Sequence, residues 1–285
     1  RNHSYAGQPF ELTEPREHDF CKPYMALQPR ALQLPASLLE PKAGPLIYAG
    51  IELRLRGLDA CVERWRREHL PGARACTRCG SMSAYADLVR IHSELISRLP
   101  GGCRVVCETG FNRGDSALVM ATACGPAAQC VSFTLDSHWH TRPGLGCLEE
   151  ASNHSGHSFT YVEGFSAASM PDFIGRNAGA GRPLRCDVIH VDGGKGSQAR
   201  LQDLVHFRGA AHNGTLWITD DVDIDTQGRY CVRSSGLPPW KARSCRFEVF
   251  VQYMQEVGLE VRCQANGQHA QCYGHRQWDA LLHGA

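Results

Sequence analysis

The sequence predicts an α/β fold: a mainly parallel sheet with helices on both faces, an N-terminal extension and disulfide-stapled loops. Two observations carry that expectation. From residue 104 onward, short apolar runs alternate with segments of helical spacing, the pattern of parallel strands joined by crossover helices. The chain also holds 14 cysteines in 285 residues, more than a reducing compartment usually leaves in an enzyme. The expected division is an N-terminal arm and helix over 1–80 and one α/β domain over 81–285.

The elements follow in order. Residues 1–47 are rich in proline and charge and hold no sustained period; they read as an extended arm with room for one short helix. Leu55, Leu58, Val62 and Trp65 fall at helical spacing, so Ile51–His69 reads as an amphipathic helix ended by Pro71-Gly72. A second helix is expected over Ser83–Leu99, with Leu88, Ile91, Leu95 and Ile96 as its apolar stripe and Pro100-Gly101-Gly102 as its stop. Strands are expected at Arg104–Glu108, Cys130–Leu135, Phe159–Val162, Asp187–Val191, Thr215–Thr219 and Leu259–Cys263. Helices are expected at Asp115–Ala123, Ala167–Asn177, Gln198–Arg208 and Phe247–Val257.

Composition narrows the function classes. A hydrophobic fraction of 42% with 21% charged residues is globular. Thirty basic against 29 acidic residues leave a formal charge of +1, which argues against nucleic acid as a partner. No apolar run is long enough to span a bilayer. Cys76-Thr-Arg-Cys79 has metal-ligand spacing, but no second such pair completes a zinc site, so disulfides are favoured. Cys231 with Cys245, and Cys263 with Cys272, are candidate pairs, although spacing does not fix connectivity. Asn2-His-Ser4, Asn153-His-Ser155 and Asn213-Gly-Thr215 are sequons and candidate N-glycan acceptors. The chain starts at Arg1, consistent with removal of a leader or anchor. Together these features predict the secretory pathway, in the Golgi lumen or outside the cell.

The first candidate site is Val105-Val-Cys-Glu-Thr-Gly-Phe-Asn-Arg-Gly-Asp115. A strand runs into Glu108, then a glycine-bearing turn, then a helix. Gly110 and Gly114 permit a tight turn and close approach to a ligand. A carboxylate at the turn disfavours a pyrophosphate and tolerates a cationic ligand. The second candidate joins two strand ends, Ile189-His-Val-Asp-Gly-Gly-Lys195 and Trp217-Ile-Thr-Asp-Asp-Val-Asp223. Parallel strands bring such ends to one sheet edge, so Asp192, Asp220 and Asp221 should converge. Clustered carboxylates repel unless a cation neutralises them, and Mg²⁺ or another hard divalent cation wants such oxygen ligands.

The E-x-G-x-x-x-G turn resembles that of the class I S-adenosylmethionine-dependent methyltransferases, which have a Rossmann-like sheet. The order of elements agrees from about Ser81 to Cys272. The resemblance implies S-adenosylmethionine as cofactor. It places Glu108, Gly110, Asn112 and Gly114 at the turn, and Asp136 with Ser137 at the ribose after the second strand. Glu163 and Ser166 fall in the adenine-side loop, and Asp192 lies beside the cofactor. The second motif is similar to the metal-dependent, catechol-type O-methyltransferases, with Asp192, Lys195 and Asp220 matching and Asp221 standing where those have asparagine. Asp-Gly-Gly also resembles a sugar and macrolide O-methyltransferase branch, which usually has histidine at the place of Lys195. The implied activity is metal-assisted O-methylation of a small-molecule or glycan hydroxyl. Asp192, Asp220 and Asp221 are the implied metal ligands, and Lys195 with Asp192 the catalytic groups. One alternative is an inactive methyltransferase-like domain serving as a secreted structural or adhesive glycoprotein. Another is a hydroxylase or other small-molecule enzyme on the same sheet.

Overall fold

The computed structural model describes residues 30–31, 44–72, 86–135, 139–152, 155–193, 197–224, 230–233, 243–244, 246–266 and 269–283. The expected readings for most of the arm, for Asp136, Ser137 and Lys195, and for the sequons at Asn2 and Asn153 lie outside them.

The described elements are β1 (Arg30–Ala31), α1 (Gly44–His69), α2 (Ala86–Ser97), β2 (Val105–Thr109), α3 (Asp115–Cys124), β3 (Gln129–Thr134), α4 (Thr141–Ser152), β4 (Ser158–Glu163), α5 (Ser166–Gly179), β5 (Val188–Val191) and α6 (Ser197–Phe207). They continue with β6 (Leu216–Ile224), β7 (Tyr230–Arg233), β8 (Arg243–Ser244), α7 (Arg246–Glu256), β9 (Glu260–Asn266), β10 (His269–His275) and α8 (Trp278–His283). The main strand order is β1-β9-β10-β6-β5-β2-β3-β4. Strands β4, β3, β2, β5 and β6 run parallel. Strand β10 is antiparallel to both β6 and β9. The chain winds outward from β2 through β3 to β4, then returns to β5 on the other side of β2. Order therefore reverses between β2 and β5, and the crevice at their C-terminal ends is where such sheets take ligands.

Alternation along the strands builds two cores. Val106, Cys130, Val188, Leu216 and Ile218 face one way, onto α1, α2, α3 and α8. Cys107, Val131, Ile189, Val191 and Trp217 face the other, onto α6 and α7. Period-two strands buried on both faces give this three-layer arrangement. Helix α1 shares the first core through Ile51, Leu55, Leu58 and Val62, each buried; it packs on helices α2, α3 and α4.

Four disulfides occur among the described residues: Cys61–Cys147, Cys103–Cys124, Cys107–Cys186 and Cys263–Cys272. The last joins directly opposed residues of β9 and β10, as the candidate terminal hairpin requires. Cys130 is a buried free thiol.

The first core also encloses polar groups. His92 on α2 meets His190 edge-on at 6.0 Å and Tyr273 at 5.6 Å between ring centroids. Tyr273 donates its hydroxyl to Gln271 Oε1 at 3.0 Å. Burial, reinforced by the charge of His190, pushes the His92 imidazole well below its ordinary value, and burial lowers His157, His206 and His275 as well. These groups stay neutral when folded, whereas the unfolded chain takes up protons below about pH 6.5. Their contribution therefore falls as pH drops through that range; among the described histidines, His190 is shifted upward and opposes it. The melting temperature should be lower at pH 5.5 than at 7.5, and His92→Leu should flatten the slope. A scan showing stability rising toward acid would contradict this reading.

Candidate functional site

The crevice is built from the ends of β2, β5 and β6. Glu108, the last residue but one of β2, is fully buried. Its two carboxylate oxygens accept hydrogen bonds from Ser132 and Ser116, each at 2.6 Å. Register places Ser132, Glu108, His190, Ile218 and Tyr273 in one row across the sheet. His190 Nδ1 lies 3.7 Å from the Glu108 carboxylate, an ion-pair distance rather than a hydrogen bond. Burial works against a charged imidazole here. Glu108, Asp192 and Asp220 outweigh it, so His190 is held above its ordinary value.

Strand register places the carboxylates. Asp192 follows β5, Asp220 lies on β6, and both act on the same buried imidazole. Strands β5 and β6 are in register at Val191 and Thr219, so the two aspartates are next-in-line neighbours. Asp192 and Asp220 thus lie along adjacent strands, two residues beyond the row that holds Glu108 and His190. Asp221 continues β6, and its side chain lies outside the described part of the molecule.

The turn after β2 is tight. Gly110 has φ 92°, and a Cβ there would sit 2.6 Å from the Asp192 carbonyl oxygen. Its N–H donates to Phe133 O at 3.0 Å. Glycine alone combines that φ with such an approach. Asn112 has φ 50°, and its Oδ1 accepts from His140 Nε2. Gly114 at φ 94° opens α3, where a Cβ would strike Leu148 and Phe111. Asp115 in the first turn suits the positive end of the helix and pairs with Arg113 at 2.7 Å.

Glu163 and Ser166 lie further out. Glu163 ends β4 and pairs with Arg142 at 3.5 Å on the surface. Ser166 opens α5 and donates to Asp203 Oδ1 at 2.5 Å. Asp203 and Arg200, both fully buried on α6, line the other side of the strand ends. Arg200 reaches Thr219 Oγ1 at 3.3 Å, and Gly193 donates its N–H to Thr109 Oγ1 at 3.1 Å. Sequence reasoning left His190, Arg200 and Asp203 unassigned. His190 carried a usable signal, since it sits two residues before Asp192 and shares its strand face.

No group of three metal-ligating side chains occurs among the described residues. Asp192 and Asp220 nonetheless fit Mg²⁺, which keeps several waters and takes one or two carboxylates.

Residues 107–222 match a family model described as a methyltransferase domain. The fold is similar to that of a TDP-rhamnose 3'-O-methyltransferase of calicheamicin biosynthesis, with TM-score 0.50 and 13% identity over 78% of this chain and 92% of that one. An O-methyltransferase from Bacillus cereus aligns with TM-score 0.49 and 12% identity, over 76% of this chain and 99% of that one. No curated protein sequence matches the chain.

Proposed function

We propose that this chain, whose residues 107–222 match a methyltransferase domain model and whose fold is similar to that of an O-methyltransferase, is a class I methyltransferase that moves a methyl group from S-adenosylmethionine to a hydroxyl oxygen. The observation that carries the reading is the junction at the order reversal. There the Gly110 turn rests on the Asp192 backbone while Asp192 and Asp220 gather on the same edge.

The chain's own groups would divide the work as follows. The turn from Gly110 to Gly114 offers backbone to the methionine end of the nucleoside, and Asp136 with Ser137 receives the ribose. Glu163 flanks the adenine side. Asp192 and Asp220, with Asp221, hold a divalent cation and so orient the acceptor. Such a cation, when bound, lowers the pKa of a coordinated hydroxyl. Lys195 takes the acceptor's proton as the oxygen forms its bond to the methyl carbon and the carbon–sulfur bond breaks, which releases S-adenosylhomocysteine. Alignment and a fixed electrostatic field are the main contributions of the protein.

The acceptor class is a sugar hydroxyl of a glycan or glycoside. It is supported by the Asp192-Gly193-Gly194 resemblance and by a neighbour in fold that acts on TDP-rhamnose. Placement in the secretory pathway is supported by four disulfides and by the exposed sequon residue Asn213, because cytosolic chains rarely keep such bridges. No described helix is long and apolar enough to cross a membrane.

The test is labelled methyl transfer over a glycan and glycoside panel, in Mg²⁺ and in chelator, beside calorimetric titration with S-adenosylmethionine. Asp220→Ala should remove metal-stimulated turnover, by about 100-fold or more, and leave cofactor affinity within a few-fold. Equal turnover with and without chelator would remove the cation from the account. Absence of cofactor binding would leave the structural glycoprotein reading.

A further inference from the structure

The turn at residues 109–115 is gripped from outside by two groups that the motif does not mark. Gly110, Asn112 and Gly114 alternate at φ 92°, 50° and 94°. Glycine enters that region freely, while asparagine does so at a cost that a side-chain hydrogen bond offsets. His140, buried just before α4, supplies that bond from Nε2 to Asn112 Oδ1. The next residue, Arg113, is 6% exposed. Its guanidinium pairs with Asp115 through bonds of 2.9 and 2.7 Å and with Asp59 of α1 at 2.5 Å. The Arg113 carbonyl packs on Gly144 of α4, where a Cβ has no room. Helices α1 and α4 thus meet over the turn. The Cys61–Cys147 disulfide and a 3.0 Å bond from Arg54 to Ala151 O fasten them to each other.

We propose that Asp59 and His140 are positioning residues of the cofactor turn, acting through Arg113 and Asn112 to hold it in the conformation that receives the nucleoside. The proposal rests on the methyltransferase reading and deepens it, because it makes the N-terminal helix a working part of the site. Two grips fall on the side chains of consecutive residues, the first of which, Asn112, has its backbone in the left-handed region. Without them Asn112 relaxes toward the right-handed region, and the turn's N–H groups point elsewhere. A binding site needs its atoms held within about 0.5 Å before the ligand arrives, so affinity suffers first and the step after binding does not. Asp59 is suited to this role. Its side chain is 44% exposed, and Arg113 retains Asp115 if Asp59 is neutralised, so removal strands no buried charge.

The experiment uses the intact, oxidised chain with Asp59→Asn and His140→Leu as loss variants. Asp59→Glu and His140→Gln are the conservative variants, each keeping the relevant acceptor or donor. Glu150→Gln is the control; it removes the exposed 3.1 Å pair with Arg64 that joins the same two helices away from the turn. Amide exchange at residues 111–115 of the cofactor-free chain should quicken by about tenfold in each loss variant. The dissociation constant and the KM for S-adenosylmethionine should rise by about tenfold while kcat stays within about twofold. The conservative variants should recover most of both, and Glu150→Gln should match the unaltered chain. Unchanged exchange and affinity in both loss variants overturns the proposal alone. An equal effect from Glu150→Gln also overturns it, by assigning the change to helix docking. Failure of the unaltered chain to bind S-adenosylmethionine overturns the methyltransferase reading and this proposal with it.

Discussion

Gly110→Ala is expected to abolish cofactor binding and to destabilise the chain by about 3 kcal/mol or more. Two penalties combine. At φ 92° an alanine carries the left-handed cost of roughly 1–2 kcal/mol. The new Cβ would also lie 2.6 Å from Asp192 O, 2.8 Å from its carbonyl carbon and 3.1 Å from Gly193 N. Those are backbone atoms at the end of β5, so no rotamer change relieves the contact. The two strand ends must part, and the crevice between them is the proposed cofactor site. Gly101 provides the control, since it shares φ 92° and has no neighbour within 4 Å of its virtual Cβ. Gly101→Ala should show only the conformational penalty and retain cofactor affinity. Urea unfolding and calorimetric titration of both variants decide the matter; Gly110→Ala binding within a few-fold of the unaltered chain would refute the geometry described.

Glu108→Leu should rank with it in stability, at roughly 3–5 kcal/mol, because it breaks a buried pair by removing one partner. Ser116 and Ser132 lose their acceptor, and His190 loses the carboxylate 3.7 Å away. The effect should couple. With His190→Leu added, no imidazole remains beside the lost carboxylate, and the double variant should be more stable than the sum of the singles by about 1 kcal/mol or more. Strict additivity in denaturant titrations would show that the two side chains do not act as a pair. This expectation moves Glu108 from direct ligand contact toward support of the floor beneath Asp192 and Asp220.

The parts of the fold that were legible are those where local pattern and tertiary demand agree. The apolar runs at β2, β3, β4 and β5 lie within a residue or two of their observed bounds; for β2, β3 and β5 this is because a strand buried on both faces leaves little else that its residues can do. Strand β6 runs five residues past the expected Thr219, to Ile224, since Asp220 and Asp221 read as a loop until β10 and β7 pair with that stretch. Helix α4 went unread. Its first six residues, Thr-Arg-Pro-Gly-Leu-Gly, contain the poorest helix formers, and the segment is held by contacts that the local sequence does not display: the bridge to Cys61 and the seat of Gly144 on Arg113. The site divides in the same way. Asp192 and Asp220 announced themselves by following apolar strands, and Gly110 and Gly114 by their spacing. Asp59 had no such mark, being an exposed-type residue on an amphipathic helix, joined to Arg113 only when α1 packs on α3 and α4.

The Cys107–Cys186 bridge has a further consequence. Both residues are fully shielded, and the link ties β2 to the entrance of β5, the two central strands. A thiol reductant in water has no path to those sulfurs while the sheet is closed. Survival of the folded chain in a thiol-rich medium is then a matter of rate: the cross-link lasts as long as the interval between spontaneous openings of the molecule's middle, whatever the bulk redox potential favours at equilibrium.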